Sequence, residues 1–429
     1  MKVRKYNKGL GFLVGILVVS LVLNAFFLGS AFSKISKKKE TQESIYKYLK
    51  LFSEVLQLIQ EDYVQPVKPK KLIYGAINGM LNTLDPYSTL LTPDEYKELE
   101  IETKGSFTGI GIEITIRDGI LTVVAPIEDT PAWRAGIKPG DKILKINGKS
   151  TKGMSLMDAV KLLRGPKGTK VTITILRNDK DIKVITLTRD VIPIKSVKYK
   201  MIAPGYAYVR ITSFQESTPK ELRKALNALE RKHKIKGLVL DLRYNPGGLL
   251  TSAIKVADEF LNKGIIVSVK GREKESKMVF RAHPNPPGHK HHYPIVIIIN
   301  RGTASAAEIL TGALKDNKRA IVVGEKSFGK GRVQSVIPLG EGYAVKLTTA
   351  FYYTPSGVCI DKIGIKPDIQ VPDLDLKKAL SAENGTLENK KGKFPLNPFK
   401  IWSNPKRDLQ LKVALSVLKS VKEISRLHY

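Results

Sequence analysis

From Tyr206 to Tyr353 the chain alternates short apolar runs with helical stretches, a pattern that restricts this region to an α/β sheet with largely covered faces. The runs Tyr206–Ile211, Gly237–Leu242, Ile295–Asn300, Ala320–Val323, Arg332–Pro338 and Tyr343–Tyr353 read as strands. Pro219–Lys232, Leu249–Leu261 and Ala304–Lys315 read as helices. Lys270–Tyr293 is long, polar and rich in Pro and Gly, so it reads as an exposed excursion. After Asp373 comes a linker-like segment and then a helix, Pro405–Arg426, with an apolar face of Leu409, Val413, Leu415, Val417 and Leu418. A chain of 429 residues has room for roughly two to four domains.

Between Gly105 and Asp190 the hydrophobic period is two. Strands are expected at Gly111–Ile116, Ile120–Val124, Lys142–Ile146, Lys170–Arg177 and Asp181–Thr188, with one embedded helix, Ser155–Leu163. Turn signals such as Arg117-Asp118-Gly119 and Asn147-Gly148 separate them. The runs Thr108-Gly109-Ile110-Gly111-Ile112 and Thr130-Pro131-Ala132-Trp133-Arg134-Ala135-Gly136, continuing to Gly148, make this segment resemble a PDZ domain. Gly109 and Gly111 suit a nest of backbone N–H groups for a carboxylate. With Ile110 and Ile112 they are the candidate peptide-binding residues. The strand beginning at Ile112 offers an edge to an extended peptide, and helix Ser155–Leu163 the opposite wall.

Four segments of the α/β region carry the chemistry. They are Asp241-Leu242-Arg243-Tyr244-Asn245-Pro246-Gly247-Gly248, then Asn300 to Glu308, Gly324 to Gln334, and Lys346 to Gly357. Ser305 lies where a strand turns into a helix, among small residues. Free N–H groups at a helix start favour negative charge, so the N–H of Ala306, with that of Gly247 or Gly248, suits an acyl-transfer oxyanion. Lys330 lies between Gly329 and Gly331; burial would depress its pKa and let it serve as a base. Taken alone, Ser305 and Glu308 also fit a helix capping box.

In this order the segments resemble the C-terminal processing, or tail-specific, peptidases, serine proteases with an inserted PDZ domain. The resemblance extends to Leu84-Asp85-Pro86-Tyr87-Ser88 and Thr92-Pro93-Asp94-Glu95-Tyr96. It implies a nucleophile at Ser305, a general base at Lys330 and a partner glutamine at Gln334. It also implies an endopeptidase acting on exported or membrane proteins near their C-termini. Thr303 and Ala307 stand where the family has further serines, neither at the nucleophile. Asp316, eleven residues after Ser305, reads as a structural helix-end residue. His283, His289, His291 and His292 are a weak metal-site pattern, because no paired carboxylate accompanies them. Two rivals stay open: a proteolytically silent PDZ scaffold at the membrane, and a nucleotide binder. The second follows from Gly324 and Gly329-Lys330, although Gly331 stands where a phosphate loop needs Ser or Thr.

The N-terminus suggests the compartment. Lys2, Arg4, Lys5 and Lys8 precede an uncharged run, Leu10–Phe32, and Lys34, Lys37, Lys38 and Lys39 follow. That length suits an uncleaved membrane anchor, with Gly29, Ser30 and Ala31 leaving a cleaved signal as the alternative. The catalytic part is then extracytoplasmic, periplasmic or cell-surface, and secreted if the segment is removed. Thr41–Tyr63 and Pro69–Leu81 read as helices, and Thr92 as the cap of a third. The expected divisions are an anchor (1–40), a helical region (41–104), the PDZ-like domain (105–190), the protease core (191–372) and a linker with a C-terminal helical region (373–429).

Lys and Arg number 72 against 40 acidic residues, a net charge of +32. The basic residues are spread among acids, which reads as a solvated basic surface and not a nucleic-acid platform. Cys359 is the sole cysteine, so no internal disulfide forms. No cofactor or metal is expected. The expected partners are protein C-terminal tails, the membrane through the N-terminal segment, and a second copy of the chain through the Tyr46–Ile59 and Leu409–Leu418 helix faces. Arg164, ending the PDZ helix, is the candidate regulatory link to the protease core.

Overall fold

The computed structural model describes residues 45–273, 277–284, 291–373, 403–406 and 408–427. The chain divides into two compact units, ending and beginning at Leu84 and Asp85. In the first, residues 45–62 are helical, and a second helix, Pro69–Asn82, starts on a proline whose missing N–H costs nothing there. The expected anchor at 1–40 lies outside the described residues. Among the described residues no helix is long and apolar enough to cross a membrane.

The second unit is built on a six-stranded sheet. Its order is Val197–Ala203, Tyr206–Ile211, Gly237–Asp241, Ile295–Ile299, Ala320–Gly324 and Ile369–Gln370. The first pair is antiparallel and the rest are parallel. Strict alternation divides its residues between two cores. Ala207, Val209, Ile211, Leu238, Leu240, Ile295, Ile297 and Ile299 face helices Thr218–Lys232, Leu250–Asp258 and Ala306–Asp316. Tyr206, Tyr208, Val239, Val296, Ile298 and Val323 face Leu411, Ala414, Leu415 and Leu418 of the C-terminal helix Leu409–Leu427. Burial on both faces is what continuous Ile/Val runs in parallel strands require. Truncating a fully buried leucine such as Leu222 or Leu240 to alanine would cost about 2–5 kcal/mol.

A five-stranded antiparallel sheet lies beside it: Thr89–Leu91, Tyr343–Tyr353, Ile265–Gly271 and Met278–Arg281 in that order, with Arg332–Gly340 also on Tyr343–Tyr353. Residues 85–104, expected within a helical region, thus supply a strand as well as helix Pro93–Lys104. Thr92 caps that helix with Glu95, as expected. The PDZ segment enters and leaves through adjacent strands, Ser106–Gly109 and Asp190–Pro193, which pair with each other. Its own core holds Ile110, Leu121, Val123, Ile143, Ile146, Ile173 and Ile175.

Three expectations are corrected. Lys270–Tyr293 is not wholly an exposed excursion: Met278–Arg281 pairs with Ile265–Gly271, and His291 is buried. The C-terminal helix starts at Leu409, where Asp408 Oδ1 accepts the Leu411 N–H at 2.9 Å, and it turns Leu415 and Leu418 inward. Leu415 and Leu418 of the expected face are therefore taken by this chain's own sheet, while Leu409 stays exposed and Val413 and Val417 half-buried. The segment after Lys330 is a strand, Arg332–Gly340, where a phosphate loop needs a helix, so the nucleotide reading falls.

Candidate active site

Two strand-to-helix turns meet at the C-terminal ends of the parallel strands, where open α/β sheets hold their ligands. The first follows Gly237–Asp241, the second Ile295–Ile299. Asn245 O accepts the Ala304 N–H at 2.9 Å and joins them. A Cβ on Gly247 would stand 2.7 Å from the Ser305 Cβ, so only glycine fits there.

Ser305 is buried and has φ +54° and ψ −117°, a left-handed strain that a β-carbon resists. It stands just before helix Ala306–Asp316. The Glu308 N–H bonds to the Ser305 carbonyl at 2.9 Å, and Ser305 with Glu308 forms a capping box at the start of the helix. A hydroxyl that accepts a backbone N–H in a cap keeps its own proton to give to a base. The Tyr352 hydroxyl is within hydrogen-bonding reach of it, and burial pushes that phenol up to about 12.

Glu308 is fully buried and reaches four donors. Oε1 accepts from Ser327 Oγ at 2.5 Å and the Gly329 N–H at 2.7 Å. Oε2 accepts the Ser305 N–H at 2.8 Å and the Lys330 N–H at 2.9 Å. Burial pushes its carboxyl upward, against these four bonds. Sequence reasoning saw Glu308 only as a capping residue. Its wider role was hidden because the other donors lie on a loop about 20 residues away.

Lys330 Nζ donates to Gln334 Oε1 at 3.0 Å, and Gln334 Nε2 donates to the Tyr87 carbonyl at 2.8 Å. The Tyr87 ring lies 4.9 Å from Lys330 Nζ. Burial lowers the Lys330 pKa, and the Lys346 charge lowers it further, while Asp85 opposes them. Lys330 and Ser305 share no hydrogen bond, and contacts of this kind commonly tighten only with substrate.

Gly247 is corrected as an oxyanion donor: its N–H is taken by Asn245 Oδ1 at 2.9 Å. The N–H groups of Gly248 and Ala306 donate to no atom among the described residues. Asp316 accepts from the Ser356 N–H at 3.0 Å, away from this centre. His283 pairs with Asp258, and His291 with Glu230 and Glu259; no metal-binding cluster occurs among the described residues.

In the PDZ segment, strand Ile112–Arg117 is an edge of its sheet, and helix Leu156–Leu163 packs beside it. The N–H groups of Ile110 and Gly111 donate to nothing among the described residues, while that of Ala132 bonds to the Ile110 carbonyl. Ile110 is 2% exposed and belongs to the domain core, so its side chain is not offered to a ligand. Arg164 pairs with Glu98 through two N–H groups, at 2.6 and 3.3 Å, and lies over the Phe107 ring. It thus ties the PDZ segment to helix Pro93–Lys104 and does not approach Ser305.

Residues 205–371 match the family described as Peptidase family S41, residues 122–177 a PDZ domain, and residues 24–94 the activating protease CtpB N-terminal domain. A carboxy-terminal-processing protease of Bartonella bacilliformis is 43% identical over 392 residues, 88% of this chain and 90% of that one. The carboxy-terminal processing protease CtpA of Bacillus subtilis is 39% identical over 86% of this chain and 80% of that one. A solved photosystem II D1 C-terminal processing protease is 33% identical, with TM-score 0.43, over 75% of this chain and 92% of that one. Identity of this extent, together with the two matched domains, means that the chain belongs to the carboxy-terminal-processing proteases, serine endopeptidases of family S41 that act on protein C-terminal tails.

Proposed function

We propose that Ser305 is the nucleophile and Lys330 its general base. The single observation that carries this is Glu308, which holds the Ser305 and Lys330 backbones on one carboxylate oxygen. Burial favours the neutral amine that a base must present. As Ser305 Oγ attacks the scissile carbonyl, Lys330 Nζ takes the hydroxyl proton. The oxyanion accepts the N–H groups of Gly248 and Ala306. The Lys330 ammonium then protonates the leaving amine as the C–N bond breaks; the neutral Lys330 amine next takes a proton from the water that attacks the acyl carbon and gives it to Ser305 Oγ as the ester bond breaks. Gln334 orients Lys330 by accepting an N–H of its Nζ at 3.0 Å while anchored to Tyr87.

The PDZ segment holds the substrate tail, its carboxylate on the Ile110 and Gly111 N–H groups and its strand along Ile112–Arg117. Arg164, through Glu98, transmits tail binding to the protease core. Residues 1–40 anchor the protein, with the catalytic part on the extracytoplasmic side. Two copies associate through residues 45–62, where Tyr46, Leu49 and Phe52 are exposed.

A peptide with a free apolar C-terminus tests the centre. Ser305→Ala and Lys330→Ala should each lower turnover by about a thousandfold or more, with peptide binding kept. Near-normal turnover of Lys330→Ala would sink the dyad. Sequencing the mature N-terminus decides whether the anchor is retained.

A further inference from the structure

We infer that the C-terminal segment is part of the working site: Asp408 and Asp373 are positioning residues for the turn that presents the Gly248 N–H. The inference rests on the oxyanion role given above.

Among the described residues Arg243 is the largest fully buried side chain, in the turn just before Gly247-Gly248. Its guanidinium is held from two sides. Asp241, its neighbour on the strand, accepts Nε at 3.0 Å and Nη2 at 2.7 Å. Asp408 accepts Nη2 at 2.6 Å, and Gln410 accepts Nη1 at 3.1 Å. Gln410 also donates to the Val371 carbonyl at 2.9 Å. The Arg243 carbonyl is fixed by Arg210 Nη2 at 2.9 Å. A guanidinium gripped this way has one orientation, because its donors lie in a rigid plane.

The grip continues to Tyr244, a left-handed residue at φ +55°. Its N–H donates to Asn300 Oδ1 at 3.0 Å, and its hydroxyl to Asp373 at 2.9 Å. Asn300 Oδ1 also accepts the Gly302 N–H, three residues before Ser305, and Asn300 Nδ2 reaches Asp373 at 3.3 Å. Asp373 therefore buttresses both turns of the site, and Asp408 fixes the residue before Tyr244. From Tyr244 the path to Gly248 is short: Asn245 Oδ1 binds the Gly247 N–H, and the Phe214 N–H binds the Gly247 carbonyl at 2.8 Å. The peptide that carries the Gly248 N–H is held directly by Asn245 and Phe214, and Asp408 and Asp373 hold the two residues, Arg243 and Tyr244, that lead into Asn245. A helix added only to cover the sheet would need neither contact.

A donor that meets only the developing oxyanion affects kcat and not KM. Small displacements from distant changes commonly cost up to about 100-fold. The test uses the full chain with Asp408→Asn and, as a gentler variant, Tyr244→Phe, which removes only the hydroxyl. Three quantities are measured: kcat and KM on a free-C-terminus peptide, affinity for a peptide aldehyde that forms a tetrahedral adduct, and Tm. Asp408→Asn should lower kcat about 10- to 100-fold with KM within twofold, and weaken the aldehyde by a similar factor. Tyr244→Phe should lower kcat about threefold, again without KM, at an unchanged Tm. Should Asp408→Asn fail to fold, Tyr244→Phe decides alone. Wild-type kcat in a folded Asp408→Asn or in Tyr244→Phe, or a loss confined to KM, overturns the inference. Fluorophosphonate labelling separates the two levels. If Ser305 labels normally while these variants keep kcat, only the positioning role falls. If Ser305→Ala is neither silent nor resistant to the label, the oxyanion reading falls with it.

Discussion

Ser305 and Lys330 donate their backbone N–H groups to the same oxygen, Glu308 Oε2, at 2.8 and 2.9 Å. Lys330 follows Ser305 with twenty-four residues between them, yet one buried carboxylate sets their spacing. Glu308→Gln keeps the volume but puts an NH2 where two N–H donors already point. About 2 kcal/mol or more of stability should be lost, the cost of buried donors left unmatched. Turnover should fall about 10- to 100-fold, read as kcat/KM beside Tm. A variant with normal turnover and lowered Tm would make Glu308 purely structural.

Lys330 can act as base only in its neutral form. Its pKa is lowered by burial and by the Lys346 charge, so kcat/KM should rise with pH through that value. Lys346→Met removes the like charge, and the acid limb should move to higher pH. Lys330→Arg should be silent at every pH, because guanidinium does not deprotonate in proteins. An acid limb that stays in place in Lys346→Met would assign it to another group.

Much of this centre is legible in the chain. The short apolar runs and the Gly-rich turns mark the strands that lead to Ser305 and Lys330, and the continuous run Ile295–Ile299 follows from burial on both faces. What escaped depends on distant partners. The strands Val197–Ala203 and Asp190–Pro193 were not read from the chain, the first despite its alternating Val197-Lys198-Tyr199-Lys200-Met201; they pair with Tyr206–Ile211 and Ser106–Gly109. Met278–Arg281 was hidden in a polar, Pro-rich stretch. Gly247 and Gly248 looked equivalent until Asn245 occupied one N–H. A capping pattern revealed Glu308 but not the loop it also holds.

The PDZ reading predicts dependence on a free carboxylate. Unused N–H groups at Ile110 and Gly111 lie at the start of an open strand edge. Amidating the C-terminus of a peptide substrate removes its charge. KM should rise about 10- to 100-fold, the worth of charge-assisted hydrogen bonds, with little change in kcat. Equal KM for acid and amide would remove the carboxylate nest.

His291 gives the protein a stability that depends on pH. Its side chain is 3% exposed, with Nδ1 2.6 Å from Glu230 and Nε2 3.6 Å from Glu259. Tyr293 and Phe260 pack beside it, and Arg223 holds the far side of Glu259. Burial opposes its charge, but the Glu259 and Glu230 carboxylates outweigh burial and raise its pKa above 6.5. A histidine with a raised folded pKa binds its proton more tightly in the native state. Its contribution is therefore complete below about 6.5 and disappears as pH rises through the folded value. The Tm of the wild type should exceed that of His291→Gln by most at acidic pH, with the difference shrinking as the solution becomes alkaline. A difference that grows with pH would mean that His291 is held neutral between the two glutamates.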